Sequence, residues 1–570
     1  MRNFGLYIAV IVVTGLLSAC IDDDNNYNYK EINDIDGQIL NMPEEKTLAL
    51  GEEWLITPEF KFTIDSINPD VTYEWYVDKQ LQKGENGPTF TFKSDDKNGY
   101  MLITFVVKDN KSGIRFSKST RVFVRSIYLR GWAILSDNNG NSVLNFISPS
   151  TLSYTAEYED EKFTRDSLVY HKVYRDVAPG LGSEPKGLMS HMGLNDYQNL
   201  YKMEVYDELL VKQGKDNWVE LNGNTLERAV RTIDEFRGDV PENFEPVEAA
   251  MTFSLKALLD KSGLIYLGKK GDAADFHANT YVSVGLNNNT KFSRLFESYK
   301  VNQYDTDIIL ALTKEDNTLV GILNNANPSG NASTIPQIQN GSAGKVCKIK
   351  DNNGEDHFNS LNKEVVEAFS APYSENGYGY EESYWTMLLK DKASSSYDLR
   401  FFRLAYDKNG NEIVCDEGYF IENHLGIINN LTGFTNFGSK HYVVIADGNQ
   451  LYYAQYGWDS YTGTEYQAKL IPLGEPFTSP VKKLACHDVN INSNVYMYPY
   501  DGQLGVVLED GSFYIFSVVE EKEEDGTTTA VSLKQQYPNE KTSEQDKNFG
   551  KVVDILYKHG RTDDFLNFSF

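Results

Sequence analysis

Seven times between residues 132 and 518 a pair of short apolar runs is split by a tight-turn signal, and that recurrence narrows the folds open to the chain. "WAILSDNNGNSVLNFI" turns near Asn139-Gly140, "ELLVKQGKDNWVELN" near Gly214, and "KALLDKSGLIYLG" at Ser262-Gly263. "IILALTKEDNTLVGIL" turns near Asp316-Asn317 and "TMLLKDKASSSYDLRFFRL" across Ala393–Ser396. "YVVIADGNQLYYAQY" and "LGVVLEDGSFYIFSV" turn at Asp447-Gly448 and Asp510-Gly511. Gly, Asn and Asp supply the left-handed backbone that a tight hairpin needs. Successive turns lie roughly 50 to 75 residues apart, enough for four strands with decorated loops. One unit reads almost in full: Leu504–Leu508, Phe513–Val519 and Thr527–Leu533 form a three-strand meander. The expectation is an all-β chain in which residues 128–570 build a seven-bladed β-propeller. The period is irregular and no repeated tryptophan or aspartate signature marks a blade, so unrelated sandwiches or a large barrel are the alternatives. One helix is expected inside this region, in "NTLERAVRTIDEFRG", with Asn224 as its cap and Gly238 as its end.

The N-terminal part has another rhythm. In "VTYEWYVDKQ" Val71, Tyr73, Trp75 and Val77 share one face of a half-buried strand. "MLITFVVKDN" and "STRVFVRSIY" follow as strands about the turn "DNKSG" at 109–113. Short strands around a central tryptophan predict an immunoglobulin-like (PKD-type) β-sandwich over 31–127. Ahead of it, Arg2, the apolar run Phe4 to Leu17 and the small pair Ser18-Ala19 read as an export signal over 1–19. Residues 20–30, rich in Asp and Asn, read as a flexible tether. Leu17-Ser18-Ala19-Cys20 resembles the bacterial lipoprotein signal, which implies that Cys20 becomes the acylated first residue of the mature chain. Such an anchor holds firmly, because each buried methylene contributes about 0.8 kcal/mol.

Asp and Glu number 82 against 54 Lys and Arg, a formal charge of −28. A field of that sign repels phosphate backbones, so no nucleic-acid partner is expected. Beyond Cys20 only Cys347, Cys415 and Cys486 remain, widely spaced and without a CxxC pair, so neither a disulfide framework nor a zinc ribbon is expected. The 8 histidines form no HExxH, and no GxSxG, P-loop or GxGxxG occurs. "DFH" at 275–277 and "CHD" at 486–488 bring candidate ligands close in sequence, but neighbours on a strand face opposite ways. No metal and no cofactor is expected.

Aromatic rings crowd two Gly-rich loops. "YSENGYGYEESYW" holds Tyr373, Tyr378, Tyr380, Tyr384 and Trp385, and "YGWDSYTGTEY" holds Tyr456, Trp458, Tyr461 and Tyr466. Flat amphipathic rings suit sugar faces, extended peptides or protein partners, which makes these nine the candidate ligand-binding residues. The competing reading places them in the core, where an all-β protein puts most of its aromatics.

Taken together, Cys20, "YEWYVD" at 73–78 and "RGWAILSDNNGNSVLNFI" at 130–147 resemble the PKD-like lipoproteins of Bacteroidota over essentially the full chain. That resemblance implies a lipid-anchored outer-membrane protein, facing the cell surface, that partners a TonB-dependent porin and its lid lipoprotein in taking up glycan or peptide nutrients. Its motifs are structural, so it carries no catalytic residues. A polysaccharide hydrolase or lyase using acidic residues of the propeller, or a purely structural docking subunit, are the competing expectations.

Overall fold

The computed structural model describes residues 33–558 apart from 95–96, 98, 129, 159–160, 193–206, 224, 253–254, 270–276, 278–279, 287–289, 297–307, 325–342, 352–353, 372–381, 407–411, 438–441, 458–464, 488–501 and 523–527. It divides into two compact units, one ending at Ser126 and one beginning at Ile127. Among the described residues there is no α-helix.

In the first unit, Glu45–Ala49, Arg115–Arg125, Gly99–Asp109, Val71–Val77 and Gln80–Leu81 form one sheet in that spatial order. A smaller sheet of Trp54–Ile56 and Phe90–Phe92 faces it across an apolar core. Trp75 is fully buried there, its ring 4.8 Å from that of Phe105 and 5.2 Å from that of Phe90. Its indole N–H donates to Gly87 O at 3.0 Å, so the one polar atom of the side chain is satisfied. At the turn after Asp109, the aspartate accepts from the backbone N–H groups of Lys111 and Ser112.

The second unit repeats one four-stranded meander seven times. Each of the seven turn signals lies between the second and third strands of a blade, because that connection is the short one. Blade 1 comprises Gly131–Asn138, Asn141–Tyr158 and Glu161–Tyr174, and its innermost strand is Lys551–Lys558 from the far end of the chain. Blades 2 and 3 begin with Gly187–Met192 and Pro246–Met251, blades 4 and 5 with Phe292–Phe296 and Glu364–Ala371. Leu431–Phe437 and Val481–His487 open blades 6 and 7. The outer edges of blades 4 and 5 fuse into one eight-stranded sheet through parallel pairing of Ile349 with Ile413 and Asp351 with Cys415.

What makes this a closed ring is the placement of the core. Seven apolar clusters lie between consecutive blades, one at each junction, and the last joins blade 7 to blade 1. Strands buried on both faces explain why the hairpins read as continuous apolar runs. Close packing dictates Gly505 at the closing junction: a Cβ there would come within 2.4 Å of the Trp132 ring.

The expected helix at 224–238 does not form. Arg228–Arg231 is the outer strand of blade 2, Thr232–Glu235 a single 3-10 turn, and Phe236–Arg237 pairs in parallel with Tyr281–Val282. Leu226 takes a left-handed φ of 58°, which a helix excludes, and the expected cap Asn224 lies outside the described residues. The blade needs a fourth strand, and edge pairing with Val219–Asn222 outweighs local helix propensity.

Candidate functional site

The innermost strands start alike. In six of the seven the ladder slips by one residue, at Val247, Ser293, Val366, Thr432, Lys482 and Val553. A bulge of this kind bends the strand and re-aims the side chain beyond it. The residues that follow are Glu248, Arg294, Glu367, Gly433, Lys483 and Asp554. Gly187 holds the matching place in blade 2: Leu188 N–H donates to Asp554 Oδ2 at 2.8 Å just as Leu295 N–H donates to Glu248 Oε2. Each of these bonds ties a carboxylate of one blade to the innermost strand of the next.

Five charged side chains and two glycines therefore ring the propeller axis. Arg294 Nε donates to Glu248 Oε1 at 2.7 Å, and its Nη2 lies 3.6 Å from Glu367 Oε2. Its Nη1 donates to the carbonyl of the bulge residue Val366 at 3.2 Å. On the other side Lys483 Nζ lies 3.0 Å from Asp554 Oδ1. Burial among the inner strands pushes the Glu367 carboxyl above the usual carboxylate range, with Arg294 working against that rise. Hydrogen bonds to charged groups contribute about 1.5–3 kcal/mol each. Glu248→Ala strips two such bonds, one from Arg294 and one from Leu295; solvent screening at these part-exposed side chains about halves their sum, so the urea midpoint should fall by the equivalent of about 2–3 kcal/mol. A wild-type midpoint would show that the clamp contributes nothing.

A second polar constellation is buried between blades 2 and 3. His191 on the first strand of blade 2 pairs across the ladder with Glu208 on the second, and Glu220 on the third strand points to the same side. Blade 3 contributes Lys256, its preceding 3-10 turn Glu235, and the chain before its outer strand His277. Lys256 Nζ lies 2.8 Å from Glu220 Oε1 and 2.7 Å from Glu235 Oε1. His191 Nε2 is 3.0 Å from Glu220 Oε2, and His277 Nε2 is 2.9 Å from Glu208 Oε1. Glu220 and Glu235 are fully buried, whereas the His277 and Glu208 side chains keep 19% and 21% exposure and form the cluster's only rim among these residues.

Charge compensation decides each ionisation here. Burial disfavours charged Lys256, yet Glu220 and Glu235 hold its pKa well above the ordinary value. Burial likewise works against Glu220, but Lys256 and His191 keep it well below the carboxylate range. For His277 the penalty of burial is overcome by its bonds to Glu208 and Glu235, which raise its pKa to about 10. Glu208 is correspondingly lowered by His277 and His191 against its own burial. His191 lies four residues along the strand from Gly187, roughly 13 Å at the rise of a strand. The cluster thus occupies the opposite end of the inner strands from the axial ring.

The aromatic candidates divide. Tyr384, Trp385 and Tyr456 lie in the core between blades 5 and 6 or 4 and 5, with 5%, 0% and 3% exposure, and rings so enclosed have no face to offer a ligand. Tyr456 donates to Asn436 Oδ1 at 2.6 Å, the bond a buried tyrosine needs. Tyr466 is half-buried, and its N–H donates to Gly457 O. Tyr373, Tyr378, Tyr380, Trp458 and Tyr461, like Cys20, lie outside the described residues. Of "DFH" only His277 is described, and it meets Glu208 and Glu235 rather than its sequence neighbours. Of "CHD", Cys486 bonds the carbonyl of Asn436, and Asp488 lies outside the described residues. No sequence pattern singles out His191, Glu208, Glu220, Glu235 and Lys256. The only available signal was charge at inward positions of otherwise apolar strands.

The profile of the PKD-like family matches residues 20–177. The N-terminal unit is PKD-like. The match runs past that unit through Gly131–Asn138, Asn141–Tyr158 and Glu161–Tyr174, three of the four strands of blade 1, and into the connection beyond. Compared with the curated proteins, the chain finds no match. Among solved structures it is similar to a quinonprotein alcohol dehydrogenase-like protein from Bacteroides thetaiotaomicron, at 14% identity and a TM-score of 0.33, covering 89% of this chain and 97% of that one. The β-propeller domain of Nup133 from Vanderwaltozyma polyspora matches at 10% identity, TM-score 0.30, over 60% of this chain and 85% of its own. Extracellular domains 1-2 of Drosophila Semaphorin 1a match at 9% identity, TM-score 0.28, over 61% and 79%. With scores this low, the propeller assignment rests on strand order and on the seven junction cores behind the PKD-like unit.

Proposed function

We propose that the chain is a surface lipoprotein anchored to the outer membrane through acylated Cys20, and that its propeller is a non-enzymatic binding platform in a TonB-dependent nutrient-uptake system. The PKD-like unit would act as the spacer between anchor and platform, with glycan or peptide as the ligand. The observation that carries the binding reading over a hydrolase or lyase is the state of the axial carboxylates. Glu248 is engaged by Arg294 and Leu295, Glu367 by Arg294, and Asp554 by Lys483 and Leu188. A general acid or base needs a carboxyl group free to reach substrate; these three are spent on holding blades together. The anchor reading is supported by the "LSAC" signal and by a family match that opens at Cys20.

The test is fractionation. Wild-type protein should sediment with outer membranes and be cleaved by protease added to intact cells, while Cys20→Ala should appear in the soluble fraction. Membrane retention of Cys20→Ala would overturn the anchor. Wild-type protein that resists external protease until the outer membrane is opened would overturn the surface-facing orientation.

A further inference from the structure

We propose that His191, Glu208 and Glu220 bind one divalent transition-metal ion, with zinc the best fit to their chemistry. One imidazole nitrogen and two carboxylate oxygens is a donor set that zinc takes with three protein ligands and an open fourth position. At metal–ligand distances of about 2.0–2.2 Å, tetrahedral ligand atoms stand roughly 3.3 Å apart. Here His191 Nε2 lies 3.0 Å from Glu220 Oε2 and 3.8 Å from Glu208 Oε2, and the three donor atoms fall within 4.8 Å of one another. An ion placed among them draws Glu208, the ligand at the open rim, in toward the other two.

Three further features point the same way. The first is orientation from outside: His277 bonds the other oxygen of Glu208, and Lys256 the other oxygen of Glu220. Ligating carboxylates are commonly held by partners of this kind, which fix the donor oxygen toward the ion. The second is charge. Glu208, Glu220 and Glu235 are three carboxylates set against the two cations Lys256 and His277, so the cluster keeps an excess of negative charge that favours a cation. The third is an unmet bond: Glu235 is fully buried, and its Oε2 has no hydrogen-bond partner among the described residues. Buried polar atoms are rarely left so without an ion or ordered water nearby, and Glu235 is linked to the ligand Glu220 through Lys256, which bonds both. The rim at Glu208 and His277 gives an ion its way in.

This site is independent of the anchor and of the axial ring, so its failure would leave the proposed function standing. Chelator-treated full-length protein, dialysed against zinc and analysed for bound metal, should hold one zinc per chain. His191→Ala and Glu208→Gln should each weaken uptake by at least about tenfold, while His424→Ala, on an exposed histidine of blade 5, should leave it unchanged. Glu208→Gln sits at the rim and preserves shape, so it keeps the test valid if His191→Ala misfolds. Absence of zinc from the wild-type protein, or uptake unaltered by Glu208→Gln, would overturn the site and leave a purely structural ion network.

Discussion

Lys256→Met should unfold at a lower urea concentration than wild type at pH 7, with a loss of about 3–5 kcal/mol, the cost of removing one partner from a buried ion pair. Methionine keeps most of the volume and the apolar stem, so the packing of Lys256 under the Tyr281 ring changes little. What disappears is the cation 2.8 Å from Glu220 and 2.7 Å from Glu235, both of them fully buried. Two carboxylates then share an interior with no positive charge except the histidines. The pH dependence separates this cause from a packing defect. Without the lysine the two carboxyl groups protonate more readily in the folded state, so the penalty is largest at neutral pH and shrinks as pH falls into the carboxylate range. A deficit of equal size at pH 5 and pH 8 would sink the electrostatic account. The wild-type cluster has its own limbs. His277 is raised from 6.5 to about 10, so its contribution is complete below pH 6.5 and fades as pH climbs toward 10. Glu208 and Glu220 are lowered from 4.5, so theirs is complete above that value and fades in acid.

How much of this could be read from the chain depends on where each feature keeps its signal. The seven hairpins were legible because Asp447-Gly448, Asp510-Gly511 and their counterparts join strands two and three, and a tight turn constrains its own residues. The strand holding Trp75 was legible because period-two alternation marks a half-buried sheet. The innermost strands were not, since their common feature is a backbone slip. Six bulges align Glu248, Arg294, Glu367, Gly433, Lys483 and Asp554, whose side chains share no chemistry that a repeat search would score. The helix expected at 224–238 fails for the reverse reason. Leu226, Ala229, Val230, Ile233 and Phe236 do keep helical spacing, but blade 2 lacked a fourth strand and took Arg228–Arg231 for it. Aromatic richness misled in the same way at Tyr384, Trp385 and Tyr456, because a ring that fills a blade junction and a ring that meets a ligand look alike in one dimension. The buried cluster was least visible of all. His191, Glu208 and Glu220 belong to three successive strands and meet only through the ladder.

A chain ended at Gly550 should fail to close its propeller, because the strand it loses is the innermost strand of blade 1. Lys551–Lys558 pairs with Gly131–Asn138, so the first and last parts of the unit are sewn into one sheet. Val552, Ile555 and Tyr557 are buried on that strand, and the Tyr557 ring meets that of Trp132 edge-on at 5.5 Å. At roughly 1.5–3 kcal/mol per buried side chain, these three contribute on the order of 5–9 kcal/mol before any ladder bond is counted. That matches the whole net stability of an ordinary domain, about 5–15 kcal/mol, so nothing is left to hold the ring shut. Two more ties go with the strand. Asp554 no longer accepts from Leu188 of blade 2 or faces Lys483 of blade 7, and Ser136 loses the register that brings it to the carbonyl of Phe549. The remaining edge of Gly131–Asn138 is apolar and unpaired, the kind of edge that recruits other chains. The truncated protein should therefore aggregate or lose near-ultraviolet circular dichroism, and limited proteolysis should cut throughout 127–550 while sparing 33–126, whose core is separate. Asp554→Ala should show the milder form of the same defect, a lowered midpoint with the ring still closed. If the chain ended at Gly550 instead melts cooperatively at the wild-type temperature, the closing strand is dispensable and the seven junction cores alone hold the circle.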